Sequence, residues 1–303
     1  MTGEWLALLS ACCFAAANVS IMRGAGARGQ DNGAFLSILL TAGMAGMLWL
    51  YQGVRHGWPV LQAPAMLWFA GAGILTIFIG RVCLYASIQH LGALRASAVK
   101  RLNPLFAVML GVLLLGETFD LTMLLGMLVI GASFGVLIWQ ALGERGAAAP
   151  TLTFTARLGK LGFFYGPVSA LAYALGYVAR KQGMLLMPDA AFGTLLGSVV
   201  GALVFVAMAQ FRDGYRTAMR HTFGSFKPWQ FASGVLASAG QLLYFAALSH
   251  SSISRVAVIS SMEAFVTIFF TVVVTRSLKQ LNGPLLLAAS LGVAGTLLIV
   301  LRG

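Results

Sequence analysis

Apolar residues in this chain do not alternate with polar ones. They run in blocks of about 18 or more, each long enough to cross a hydrocarbon layer of about 30 Å as a helix. Ten blocks are predicted to span, at residues 5–22, 34–51, 64–87, 93–115, 121–142, 161–181, 190–211, 229–249, 253–275 and 284–301. In lipid every backbone polar group needs an internal partner, which a helix supplies within its own segment. The period-two alternation of a membrane barrel is absent from the sequence. The expected fold is therefore an all-α membrane protein. Most connections are short. The longest, near the middle of the chain, is rich in Gly, Ala, Pro and Thr with mixed charge. It divides the chain into 1–142, a linker at 143–159, and 160–303.

The two halves resemble each other. A shift of 160 lays Gly80 on Gly240, Tyr85 on Phe245, His90 on His250 and Arg95 on Arg255. A shift of 159 lays Ser10 on Ser169, Phe14 on Tyr173, Ala15 on Ala174 and Gly24 on Gly183. Matches between apolar sequences arise by chance, but here polar and Gly positions share one shift. Five spans is an odd number, so two similarly folded copies must sit in opposite orientation. The prediction is ten transmembrane helices as two inverted five-helix repeats. Transporters of that plan bind substrate near the midplane, where the halves meet. Small residues at four-residue spacing, Gly193–Gly197–Gly201 and Gly131–Gly135, are expected at close helix crossings.

Composition sharpens this reading. Hydrophobic residues make up 59% of the 303 positions and charged residues 9%, against about 25% charged in soluble domains. The formal charge is +12. The cations are scattered through connections, which fits retention of Lys and Arg on the cytoplasmic side and gives no nucleic-acid patch. Odd-numbered connections hold twelve cations: Arg23, Arg28, Arg95, Arg145, Arg157, Lys160, Arg212, Arg216, Arg220, Lys227, Arg276 and Lys279. The opposite side holds five, Arg55, Arg180, Lys181, Arg255 and Arg302, so both termini are expected outside the cytoplasm. The N-terminal run lacks a basic region and reads as a span, not a cleaved signal. Cys12, Cys13 and Cys83 fall in apolar segments with no disulfide or metal spacing. No cofactor or metal is expected.

Ionisable groups within spans cost roughly 2.5–3.5 kcal/mol each on insertion scales, so they are the sharpest clues to function. Arg81 lies about eight residues before the end of the third span. Lys100 and Arg101 lie about eight residues into the fourth. All three then sit roughly 12 Å below the turn that joins these spans. Tyr85 is one turn from Arg81, and Asn103 shares a face with Lys100. Their repeat partners differ: Arg81 falls on Gln241, Lys100 on Ser260, Arg101 on Ser261 and Asn103 on Glu263. The basic layer reads as an anion site, as an internal ion pair with Glu263, or as snorkelling cations. Glu263 reads as a structural partner or a proton-coupling group. Asn18, Tyr173, Tyr177 and Tyr244 read as cavity lining or as packing. His90 and His250 close corresponding helices and read as helix ends, not metal ligands.

Ala96–Ser97–Ala98, Asn103–Pro104–Leu105–Phe106–Ala107 and Leu115–Gly116–Glu117 resemble the drug/metabolite transporter superfamily in its EamA-type ten-helix branch. Ser261–Met262–Glu263–Ala264 resembles the Ser-Met-Glu-Pro run of amino-acid exporters there, with Ala264 in place of Pro. Thr275–Arg276–Ser277 stands where a Gly-Glu pair is common. The resemblance implies alternating access around a central cavity. Relatives that carry phosphorylated compounds use a Lys–Arg pair in a cavity helix, and Lys100–Arg101 is similar in type. The expected function is secondary transport of a small anionic or zwitterionic metabolite such as an amino acid, organic anion or phosphorylated compound. Its candidate substrate-binding residues are Arg81, Lys100, Arg101, Tyr85, Asn103, Gln241, Glu263, Asn18 and Tyr173, with a proton as candidate coupling ion. A lipid-carrier flippase and an integral-membrane transferase are the alternatives, and no catalytic residue is expected. The expected partners are substrate and lipid bilayer, as a monomer or homodimer in a bacterial inner membrane.

Overall fold

A computed structural model describes residues 2–24, 32–91, 96, 102–116, 121–143, 154–224, 227–260 and 262–275, with positions 283, 284, 287, 290, 291, 294 and 295. Its elements are all helical. They are α1 (Thr2–Gly24), α2 (Ala34–His56), α3 (Ala63–Ala72), a π-helical stretch (Gly73–Gly80), α4 (Arg81–Leu91), α5 (Leu102–Leu115) and α6 (Leu121–Gly143). There follow α7 (Phe154–Leu186), α8 (Ala190–Phe211), α9 (Asp213–Gly224), α10 (Pro228–His250), α11 (Ile253–Ser260) and α12 (Glu263–Thr275). Among the described residues six stretches are long and apolar enough to cross a membrane: Thr2–Gly24, Ala34–His56, Ala63–His90, Ala190–Phe211, Pro228–His250 and Arg255–Val273.

Local chemistry sets several boundaries. Asp189 caps α8, its Oδ1 accepting from the backbone of Phe192 at 2.8 Å. Pro228 opens α10, where a missing N–H costs nothing. The glycines of α8 face their neighbours closely. A Cβ at Gly73 would overlap the backbone of Gly197, and one at Gly193 would meet Phe69 and Phe245. The backbones of α8 and the third span therefore touch directly, as small residues permit.

The structure departs from the sequence reading in five places. The third span is not a uniform α-helix: eight residues between Gly73 and Gly80 form a π-helix. Such widened turns are rare and cluster at functional sites. The ninth span is interrupted at Met262, so Glu263 begins a new helix. A turn bridges the break, with Met262 N donating to Ile259 O at 3.0 Å. The connection after α8 holds a helix of its own, α9, whose residues are too polar for a span. Arg180 and Lys181 are expected to close the sixth span and count among the cations of one membrane side. Both lie inside α7, which runs on through Gly183–Met184–Leu185–Leu186, and Arg180 is buried. Lys181 Nζ instead donates to Leu248 O and Ser251 O at the C-terminus of α10. Finally, Gly131 and Gly135 face open space among the described residues, so they mark no close crossing there.

α1 packs along α10, and α7 packs along α3, the π-helix and α4. Ser10 Oγ of α1 donates to Gly240 O of α10, and Ser169 Oγ of α7 donates to Gly80 O, each at 2.7 Å. A Cβ at Gly240 would meet the Phe14 ring, and one at Gly80 the Tyr173 ring. The core between these helices combines apolar side chains with buried polar groups.

Candidate polar site in the helix core

Among the described residues three charged side chains are buried: Arg81, Arg180 and Glu263. Each is held by groups the sequence spaces onto facing helices. Arg81 follows directly on the π-helix and reaches α2. Its NH1 donates to Ser37 O at 2.9 Å, Ser37 Oγ at 3.1 Å and Thr41 Oγ1 at 2.6 Å. Thr41 is in turn paired with Ser238 Oγ at 2.8 Å, which ties α10 into the same network. Tyr85, one turn on, sits among Ser37 and Ser233.

Arg180 projects from the C-terminal part of α7. It donates to Thr76 Oγ1 at 2.7 Å, inside the π-helix. With its amide oriented to face the guanidinium, Gln241 accepts from both terminal nitrogens of Arg180. The Phe245 ring lies under the guanidinium at 4.7 Å, a stacking that favours a desolvated cation. Among the described residues Arg180 Nε has no hydrogen-bond partner, and it is buried. An unpaired buried donor costs about 1–3 kcal/mol, so a ligand that accepted from it would gain that amount.

Glu263 stands at the start of α12, where helix-end N–H groups favour a carboxylate. Asn18 Nδ2 donates to its Oε1 at 2.7 Å and approaches Thr267 Oγ1 at 3.5 Å. Between the basic and acidic groups runs a row of tyrosines. Tyr173 and Tyr177 ring centroids are 5.9 Å apart, and Tyr177 stacks on Tyr244 at 4.3 Å. Tyr173 lies within hydrogen-bonding reach of Arg81 and within electrostatic reach of Arg180 and Glu263. Tyr177 reaches Asn103.

Seven of the sequence candidates, Asn18, Arg81, Tyr85, Asn103, Tyr173, Gln241 and Glu263, are thus buried, and Tyr173 lies within reach of both the arginines and Glu263. Lys100 and Arg101 lie outside the described residues. The sequence reading missed Arg180 because it stands one residue from the end of the expected span. The apolar run Gly183–Met187 beyond it was the available signal. Two buried arginines against one carboxylate leave a surplus positive charge among the described residues. In a low-dielectric interior such a surplus attracts an anion.

The profile of the EamA-like transporter family matches residues 1–139 and again 160–301. The chain belongs to the EamA-like transporter family. It is an integral membrane protein and a transporter of the drug/metabolite type, a family whose members are generally transporters rather than enzymes. A solved crystal structure shares the fold with a TM-score of 0.66 at 19% identity, covering 98% of this chain and 97% of its own. No curated protein sequence matches.

Proposed function

We propose that this protein is a secondary transporter of a small anionic or zwitterionic metabolite, working by alternating access between two five-helix repeats of opposite orientation. The observation that carries the reading is the buried Arg81 and Arg180, fixed by facing helices, with the buried Glu263 as counter-charge within electrostatic reach of the same Tyr173. Charged groups at that depth are costly and belong to substrate or ion pathways. A substrate carboxylate or phosphate would meet the arginines, and a substrate ammonium, where present, would meet Glu263. By their sequence positions Lys100 and Arg101, outside the described residues, belong to the same proposal as further basic groups.

Reciprocal contacts support the inverted repeat. The Ser10–Gly240 and Ser169–Gly80 hydrogen bonds exchange into one another under the 159- and 160-residue shifts. So do Phe14 against Gly240 and Tyr173 against Gly80. Asn18 with Glu263 likewise exchanges into Tyr177 with Asn103. A pseudo-two-fold axis would make each contact the image of its mate, and a single, unrepeated fold would not. The interruption at Met262 adds support, since broken helices at the midplane are a recurring device for substrate sites.

A thermal-shift screen of the purified protein against amino acids, organic acids, sugar phosphates and nucleotides tests the reading. Ligands bearing a carboxylate or phosphate should stabilise the wild type and lose that effect in Arg180→Gln. Stabilisation only by uncharged compounds would overturn it.

A further inference from the structure

The twelve residues of α9 differ from every spanning helix. None is buried. Tyr215, Ala218, Met219 and Thr222 form its half-buried side, at the spacing of one helical face. The Tyr215 ring packs on Phe205 at 4.8 Å and on Phe78 at 6.0 Å. The helix therefore lies across the end of the bundle where α8 finishes, instead of crossing with it.

Its remaining surface is basic and aromatic. At about 100° per residue, Arg216, Arg220 and Phe223 fall within roughly 60° of one another, on an exposed flank. Arg212 precedes the helix and is also exposed. Phe211, the last residue of α8, and Phe223, near the end of α9 with the Phe35 ring edge-on at 6.5 Å, are 81% and 76% exposed. Asp213 is the sole acid between Arg212 and Lys227, and its contact with Arg216 at 3.6 Å is open to solvent. Arg23 lies at the same end of the bundle, stacked over Trp229 at 5.1 Å. An acidic soluble partner would explain the arginines but not two exposed phenylalanines bracketing them. A bilayer surface explains both, since an interfacial helix places cations at the headgroups and aromatics at the acyl boundary.

We propose that α9 is an interfacial helix that docks on anionic phospholipid headgroups of the adjoining leaflet through Arg212, Arg216 and Arg220, with Phe211 and Phe223 entering the acyl boundary. Basic residues near an anionic surface contribute about 1 kcal/mol each, or roughly fivefold in affinity.

The test uses the full chain exchanged into mixed phosphatidylglycerol and phosphatidylcholine. Native mass spectrometry should show wild type retaining phosphatidylglycerol preferentially, with the preference falling about fivefold for each arginine removed in R212Q, R216Q and R220Q. R55Q and R255Q, at the opposite end, should keep it. A triple variant with undiminished preference overturns the proposal. Hydrogen exchange on the wild type gives an answer even if the triple variant fails to fold. Amides of 213–224 should exchange more slowly in phosphatidylglycerol nanodiscs than in phosphatidylcholine nanodiscs. Equal exchange in both, or equal protection by inorganic phosphate in detergent, assigns the arginines elsewhere and contradicts lipid docking.

Discussion

At the scale of single residues, the interior is a set of charges made tolerable by named partners. Asn18 is the clearest case: removing it leaves the Glu263 carboxylate short of a charge-assisted hydrogen bond. Asn18→Leu should cost about 1.5–3 kcal/mol, seen as a lower melting temperature in detergent, and an unchanged melting temperature would contradict the pairing. Lys100→Gln and Arg101→Gln should weaken substrate binding while expression stays near wild type. Normal binding in both would remove them from the site. Glu263→Gln should change the pH dependence of transport if the carboxylate carries protons, and an identical profile argues for a purely structural role. The identities of most candidates could be read from the sequence, because an ionisable residue in an apolar run has few bland explanations. Their pairings could not. Asn18 and Glu263 are 245 residues apart, and no local pattern joins them.

At the scale of elements, the sequence gives helices more readily than their irregularities. Hydropathy marks where a helix crosses, but a π-helix and an α-helix bury the same residues. The widened turn at Gly73–Gly80 therefore leaves no signature in the apolar pattern. Its flanking glycines are the only trace, and one of them, Gly73, touches Gly197 directly. The break at Met262 is hidden too, since Ser260, Ser261 and Glu263 around it sit within a longer apolar run whose average still reads as one span. Packing makes a sharp prediction here. Gly73→Leu and Gly197→Leu should each destabilise by about 1–3 kcal/mol through overpacking, whereas Gly131→Leu, which meets nothing among the described residues, should be close to neutral. Equal losses at all three positions, measured by thermal unfolding in detergent, would contradict the α8 crossing.

At the scale of the whole molecule, the proposed symmetry has consequences of its own. Ser10→Ala and Ser169→Ala remove equivalent bonds at 2.7 Å, so each should cost about 1 kcal/mol. The two bonds share no partner residue, so their effects should add. A loss confined to one of them would argue against equivalent repeats. The cation count of the sequence, twelve against five, carries the expectation that both termini lie outside the cytoplasm. A reporter fused at Gly303 reads this directly, and a cytoplasmic C-terminus would overturn it. Shift arithmetic on the sequence reached the repeat because polar and glycine positions keep their spacing. It could not reach the substrate, because a buried arginine pair accepts carboxylates and phosphates alike.

The most direct measurement is counterflow in proteoliposomes, using the ligand that stabilises the protein best. Wild type preloaded with unlabelled ligand should take up the labelled form in a saturable burst. Arg81→Gln and Arg180→Gln, folded and inserted to the same extent, should lower that uptake at least about tenfold, a barrier of about 1.4 kcal/mol. Counterflow undiminished in both variants, or a ligand that binds the wild type but never crosses, would contradict the account.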